Sequence, residues 1–451
     1  MKINLDKNSA EFICSLGEKV YVVGGYVRNS LCGYKCTDID IAGPLPALAL
    51  DLPPHTSMNI VNHRMGTAQL VHDGVTYEYT PFRVEVYNAG GEHTPAQVRF
   101  TTDLTADAER RDFCCNAVYY DVRHDEIIDP FNGVRDIEQK ILRGCSKRVF
   151  ESDGLRLLRL VRLAAELGFR IEGETAAAAK SMHAQLNDIT CERKRIELDK
   201  ILYADTVNGI AGAQYRGLRL LKQLDLLPGI IPELADCAGI AQPPKYHKYD
   251  VLEHSFQCVR YAAPIKNVRL AALLHDIGKP YCIKNFGNFH GHEKASGIAA
   301  RMILNRLRYP NDIIEQVVRL CSLHMYDMRG ETSEAKVRVF VAKNYDIIDK
   351  LVALIRADRL ATGLLPQGEA EAPHRFETVR DAMLADGTPI LKKSLRISGK
   401  TLADMGFESE AISAALDKLW RDCVIEPKNN NVEWLTKMAA RLPKTIERTP
   451  R

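Results

Sequence analysis

Two aspartates, Asp38 and Asp40, carry the first chemical signal in the chain. They close a stretch that opens on the apolar run Val20–Val23 and passes through Gly24-Gly25 and Arg28. Side chains alternate along a strand, so both carboxylates turn to one side and Ile39 and Ile41 to the other. Two carboxylates on one rigid face can hold Mg²⁺, which then also takes substrate phosphates. The glycine pair lets bare backbone N–H groups approach a phosphate at the start of a helix. An Asp-x-Asp alone is often a solvated pair, and Gly-Gly alone is a weak sign. Their order here, strand, Gly-Gly, helix, strand, favours a site for a nucleoside triphosphate and a metal. Glu78 lies on a further candidate strand and could approach that site.

A second centre falls between residues 246 and 360. His275-Asp276 closes the apolar run Leu270–Leu274, and His254, His290, His292, His324 and Asp358 flank it. Burying an adjacent His and Asp is unfavourable unless both are paired. A divalent metal suits imidazole and carboxylate together. His254, His275, Asp276 and Asp358 form the expected ligand set. His290 reads as an ordinary polar residue, and His292 and His324 stand between the two readings.

Three further clusters are polar and closely spaced. Arg110-Arg111-Asp112, followed by Asn116, can bind an anion and sugar hydroxyls together, although a solvated turn has the same composition. Residues 153–167 read as one amphipathic helix, with Leu155, Leu158, Val161 and Leu163 apolar and Gly168 ending it. Arg156, Arg159 and Arg162 recur on it at three-residue steps. Asp153 and Arg156 would share a face there, one accepting and one donating. Such a pair can read the Watson–Crick edge of a base, or be a plain ion pair. Nine Lys/Arg against five Asp/Glu lie between residues 135 and 170, which suits a nucleic-acid backbone or a solvated face. A helix over 190–202, with Glu192, Arg193, Glu197 and Lys200, reads as structural.

Positioning these groups requires two kinds of scaffold. Candidate strands at 20–23, 37–42, 68–72, 75–80, 97–101, 117–122 and 126–128 describe a small α/β domain with a mixed sheet. His72-Asp73-Gly74 reads as a hairpin turn. Beyond about residue 140 strand patterns nearly vanish, and Pro243-Pro244 marks a linker. The length of 451 residues suggests two to four domains. A net charge of +3 excludes a polycation, so nucleic-acid contacts must be local. No apolar window reaches membrane-spanning length, and the N-terminus is too polar for a signal peptide. The 12 cysteines lack any C-x-x-C, which suits buried thiols in a reducing cytoplasm rather than disulfides or a zinc ribbon.

Taken in order, Gly24-Gly25-x-x-Arg28 with Asp38-x-Asp40, Arg110-Arg111-Asp112-Phe113 with Asn116-Ala117, Asp153-x-x-Arg156 and Glu192-Arg193 resemble the motifs of the class II tRNA nucleotidyltransferase and poly(A) polymerase family. His254, His275-Asp276 and Asp358 resemble the HD phosphohydrolase superfamily, and Ile397–Leu402 is similar to the tail of bacterial CCA-adding enzymes that carry an HD domain. The resemblance implies an α+β chain: a mixed-sheet nucleotidyltransferase head at 1–140, an all-helical neck and body at 141–240, an HD domain at 245–362 and a helical tail at 363–451. It implies a cytoplasmic enzyme that adds C, C and A to tRNA from CTP and ATP. Asp38 and Asp40 would hold two Mg²⁺, and a further divalent metal would sit in the HD domain. Gly24, Gly25 and Arg28 would hold the triphosphate, and Arg111 and Asp112 the ribose. Asn116 and Arg159 would belong to the nucleotide site, and Asp153 and Arg156 would select the base.

Three positions depart from the family pattern: Asn29 replaces the usual Asp, Ser152 the usual Glu, and Gly91–Pro95 lacks the usual Asp-x-Arg. The last departure keeps a CC-adding enzyme open as an alternative. A poly(A) polymerase and an HD phosphohydrolase acting on RNA 2′,3′-cyclic phosphate ends are the others.

Overall fold

Val22 and Ile41 face each other across the two central strands of the N-terminal sheet and are fully buried. Burial of side chains of this size stabilises by about 1.5–3 kcal/mol each, which anchors the edges where Gly24 and Asp40 sit. The computed structural model describes residues 3–86, 95–364 and 374–445. Gly91–Thr94, most of the departing loop, lie outside the described residues. The chain divides into two units, Met1–Ala238 with Ile303–Tyr309, and Gly239–Met302 with Pro310–Arg451.

The first unit begins with the expected mixed sheet. Its strands are β1 (Tyr21–Val23), β2 (Ile39–Gly43), β3 (Thr56–Asn62), β4 (Thr67–His72), β5 (Val75–Pro81), β6 (Arg83–Val86), β7 (Gln97–Phe100), β8 (Tyr119–Asp121) and β9 (Glu126–Ile128). Seven of them form one sheet in the order β3-β4-β5-β2-β1-β8-β9, while β6 and β7 pair separately. β2 and β5 run parallel with Asp40 opposite Glu78; the other neighbours in the large sheet are antiparallel. The β4–β5 turn holds Asp73 at φ 47° and Gly74 at φ 82°, the two positive angles of a type I′ hairpin. β3 is the edge strand: Met58 and Ile60 alternate with exposed residues, but none of its residues is fully buried, so its signal is weak.

The helix Gly25–Cys32 joins β1 to β2. Helices dominate beyond residue 140, where Ile141–Leu142 and Arg170–Ile171 pair as a minimal parallel ribbon. The expected helix over 153–167 starts two residues later, at Leu155, and Gly168 ends it in the left-handed region at φ 69°. Asp153 is not helical but extended, at φ −155°, and its Oδ1 accepts from the Leu155 N–H at 2.9 Å. A short carboxylate at that position favours capping over propagation.

In the second unit, Val251–Tyr261, Lys266–Leu274, Asn311–Leu323 and Ile348–Ala361 form an all-helical core. Val268 and Leu270–Leu274 are buried, so His275 and Asp276 emerge at the end of an apolar helix. Further helices are Lys279–Phe286, His292–Arg306, Glu334–Lys343, Arg375–Ala385, Gly399–Asp404, Ser409–Ile425 and Val432–Ala439.

Candidate active site

The head carries a cavity of about 670 Å³ lined by Gly24, Gly25, Arg28, Asn29, Asp38, Asp40, Glu78, Arg111, Asp112, Asn116, Arg159 and Arg162, among others. Asp40 is half-buried and Asp38 exposed, while Ile39 and Ile41 point into the core. Gly25 heads its helix and donates its backbone N–H to Asp40. Gly24 has φ 78°, and a Cβ there would meet Asp40 Oδ2 at 2.9 Å. Both facts require glycine. Burial pushes the Asp40 carboxyl up to about 6; Glu78 and Asp38 push the same way, and Arg111 and Gly25 oppose them. A half-buried carboxylate with two further carboxylates beside it fits a divalent cation.

Around that face runs a chain of paired side chains. Arg28 donates from Nε (3.0 Å) and Nη2 (2.7 Å) to Asn29 Oδ1, and from Nη1 to Asn116 Oδ1 at 2.5 Å. Asn116 Nδ2 donates to Asp112 Oδ1 at 2.9 Å. Arg159 donates to Asp112 Oδ2 at 2.9 and 2.5 Å. Burial would raise the Asp112 carboxyl, but Arg159 and Asn116 outweigh it and hold it well below the usual carboxylate range. Arg111 binds Asp107 Oδ2 and the Tyr119 hydroxyl, each at 2.9 Å, and lies 5.1 Å from the Tyr119 ring centre. Asp107, fully buried and bound by Arg110, Arg111 and Tyr119, has no separate signal in the sequence.

Asp153 and Arg156 do not line this cavity among the described residues. Asp153 Oδ2 accepts from Arg193 at 3.0 Å. Arg156 donates to Val149 O (3.0 Å), Ser152 Oγ (2.8 Å) and Arg110 O (2.6 Å). The shared helical face expected for the pair is therefore absent, because Asp153 precedes the helix. The next arginines on the row do reach the cavity: Arg159, and Arg162, which donates to Glu197 at 2.7 Å and Glu166 at 2.9 Å.

The second unit holds the His/Asp centre. His254 Nε2 lies 2.9 Å from Asp358 Oδ1 and 3.2 Å from His275 Nε2. Asp276 Oδ2 lies 3.3 Å from His275 Nε2, and its Oδ1 lies 3.2 Å from His292 Nε2 and 3.9 Å from His324 Nε2. Nδ1 of His275, His292 and His324 sits 2.9, 2.8 and 2.7 Å from the carbonyl oxygens of Ala272, Phe289 and Cys321. A carbonyl only accepts, so Nδ1 carries a proton and Nε2 is the atom turned to the cluster. Asp276 Oδ1 and His292 Nε2 are buried without a hydrogen-bond partner, which a metal ion would relieve. The expected four ligands thus meet; His292 joins them through Asp276, and His324 through both Asp276 and the His275–Asp358 pair. His290 is exposed and outside the triads.

Comparison with known proteins assigns a domain to the region that holds each centre. Residues 20–143 match the poly A polymerase head domain, 168–237 the "Probable RNA and SrmB-binding site of polymerase A", and 251–363 the HD domain. This makes the chain a nucleotidyltransferase with an α+β fold and an HD domain. It is similar to a multifunctional CCA protein of Teredinibacter turnerae, 32% identical over 70% of this chain and 77% of that one. A CC-adding tRNA nucleotidyltransferase of Thermus thermophilus is 31% identical over 88% of each chain. In fold it resembles the CCA-adding enzyme of Bacillus stearothermophilus solved in complex with CTP, with TM-score 0.67, 24% identity, and 95% of this chain and 96% of that one covered. The chain belongs to the CCA-type tRNA nucleotidyltransferase family.

Proposed function

We propose that the chain adds C, C and A to tRNA 3′ ends from CTP and ATP, releasing pyrophosphate. The observation that carries this reading is one cavity holding Asp38, Asp40 and Glu78 opposite Arg28, Arg111 and the Asp112–Arg159 pair. Asp38 and Asp40 would hold two Mg²⁺, whose chemistry is to activate the RNA 3′-hydroxyl and stabilise the leaving pyrophosphate. Gly24 and Gly25 admit the triphosphate to the helix start, and Arg28 binds it. Arg111 and Asp112 hold the ribose, with Asn116 and Arg159 fixing Asp112. Asp153 and Arg156 select the base, after a rearrangement that frees them from Arg193 and Arg110 O. The assigned regions are a head at 1–140, neck and body at 141–240, HD domain at 245–362 and tail at 363–451. No helix among the described residues is long and apolar enough to cross a membrane. The twelve free thiols suit the cytoplasm.

The His/Asp centre is read as a metal phosphohydrolase, with one divalent ion at His254, His275, Asp276 and Asp358 and room for another at His292 and His324. A second reading of the head is CC addition alone. The Thermus thermophilus relative, a CC-adding enzyme 31% identical, favours it. The head reading is tested by Asp40→Ala, which should lower nucleotide addition roughly 10³-fold, the loss of several kcal/mol of transition-state stabilisation. Unchanged addition by that variant would remove the reading.

A further inference from the structure

Asp107 sits on the helix Leu104–Glu109 and is fully buried. Its two oxygens sort the adjacent arginines that follow it. Oδ2 accepts from Arg111 at Nη2 (2.9 Å) and Nε (3.3 Å), and from the Tyr119 hydroxyl at 2.7 Å. That hydroxyl accepts in turn from Arg111 Nε at 2.9 Å, which closes a triangle of three side chains. Oδ1 accepts from Arg110 at Nε (2.8 Å) and Nη2 (2.5 Å), and from the Arg83 backbone N–H at 3.3 Å. Arg110 is thereby turned to Glu85, whose Oε1 lies 3.6 Å from its Nη1. Among the described residues, Arg111 lines the head cavity and neither Asp107 nor Arg110 does. The triangle occupies Nε and Nη2 of Arg111, and Nη1 has no hydrogen-bond partner among the described residues. Burial would raise the Asp107 carboxyl, but Arg111 and Arg110 outweigh it and hold it below its usual value. The bonds to it are therefore charge-assisted.

We propose that Asp107 is a positioning residue for nucleotide addition and acts through Arg111. With Tyr119 it pins the Nε–Nη2 edge of the guanidinium, so that Nη1 is offered to the nucleotide sugar from a fixed place. This rests on the reading that Arg111 holds the ribose. A free arginine side chain has many rotamers, and ordering it on each binding event costs affinity. A guanidinium fixed beforehand avoids that cost and keeps the sugar in register with the reacting phosphate. Tyr119 stands on β8, so the triangle ties Arg111 to the large sheet. The same carboxylate holds Arg110 away from the cavity, which leaves one arginine of the pair to meet the nucleotide.

The test is steady-state addition by the full chain to a tRNA lacking its CCA, with CTP and with 2′-deoxy-CTP. The readout is the ratio of kcat/KM for the two nucleotides. Loss of folded enzyme scales both alike and leaves that ratio unmoved. Asp107→Asn keeps the shape and removes the charge. It should lower the CTP preference by about 10-fold, the size of one hydrogen bond to a charged group. Tyr119→Phe removes only the hydroxyl, so it serves if Asp107→Asn folds poorly, and should lower the preference by about 3-fold. On an Arg111→Ala background neither change should lower it further, because both act through that guanidinium. A ratio unmoved by both single variants overturns the positioning role, and so does an undiminished further loss on Arg111→Ala. A ratio that Arg111→Ala itself leaves unmoved would instead remove the ribose reading on which the role rests.

Discussion

As a proposed Mg²⁺ ligand, Asp40 serves two requirements that conflict without a cation. It must sit deep enough to be fixed by Gly25 and the β5 partner Glu78, yet be ionised to bind metal. Burial and its acidic neighbours push it up to about 6, against an ordinary value of about 3.9. Between those values the folded protein binds more protons at this group than the unfolded chain does. Its contribution to stability is therefore present at low pH and lost as pH rises through about 6. Mg²⁺ bound there as proposed would reverse that loss. The rise in melting temperature on adding Mg²⁺ should be larger at pH 8 than at pH 5, and the excess should vanish in Asp40→Asn. An equal increment at both pH values in the native chain contradicts the assignment. Gly24→Ala probes the same contact from the other side. With φ 78° and a 2.9 Å clash onto Asp40 Oδ2, it should lower stability by about 1–3 kcal/mol and abolish most nucleotide addition. Thermal denaturation and primer-extension assays check both effects.

At the level of elements, the relay Arg28–Asn116–Asp112–Arg159 links the helix Gly25–Cys32, the Arg-Arg-Asp segment and the helix Leu155–Leu167. Removing Arg159 takes away the cation that pairs with Asp112 Oδ2. Arg159→Ala should therefore lower stability by about 1–3 kcal/mol and raise the KM for nucleotide more than it lowers kcat. A variant with native stability and KM would show that the relay does not position the site. Much of this scaffold is legible in the sequence, since β1, β2, β4 and β5 alternate or run apolar and the Asp73-Gly74 turn sets the register of β4 on β5. The Asp40–Glu78 pairing is only hinted at, because a parallel register is a long-range property of the folded sheet. β3 is hidden because an edge strand needs no buried face. Asp153 is misread as helical because periodicity alone ignores its capping preference. Asp107 is invisible because its value lies wholly in three partners that tertiary structure brings to it.

On the scale of the whole molecule, two chemical centres occupy two separate units, each with its own cavity. Both families of motif are legible in the amino-acid sequence, since the ligands fall in short, ordered clusters. What spacing does not reveal is that His292 and His324 complete the second cluster, which needs helices from distant parts of the chain to converge on Asp276. The head remains the centre on which the account depends, and the added sequence is its most direct readout. A tRNA lacking its 3′-terminal CCA should be incubated with CTP and ATP together, and with each alone, and the products resolved by length. Growth by two residues with CTP alone and by three with both nucleotides, ending in A, is the predicted result. Growth that stops at two residues when both are supplied contradicts full CCA addition, and no growth, or a run of A residues, contradicts the central claim.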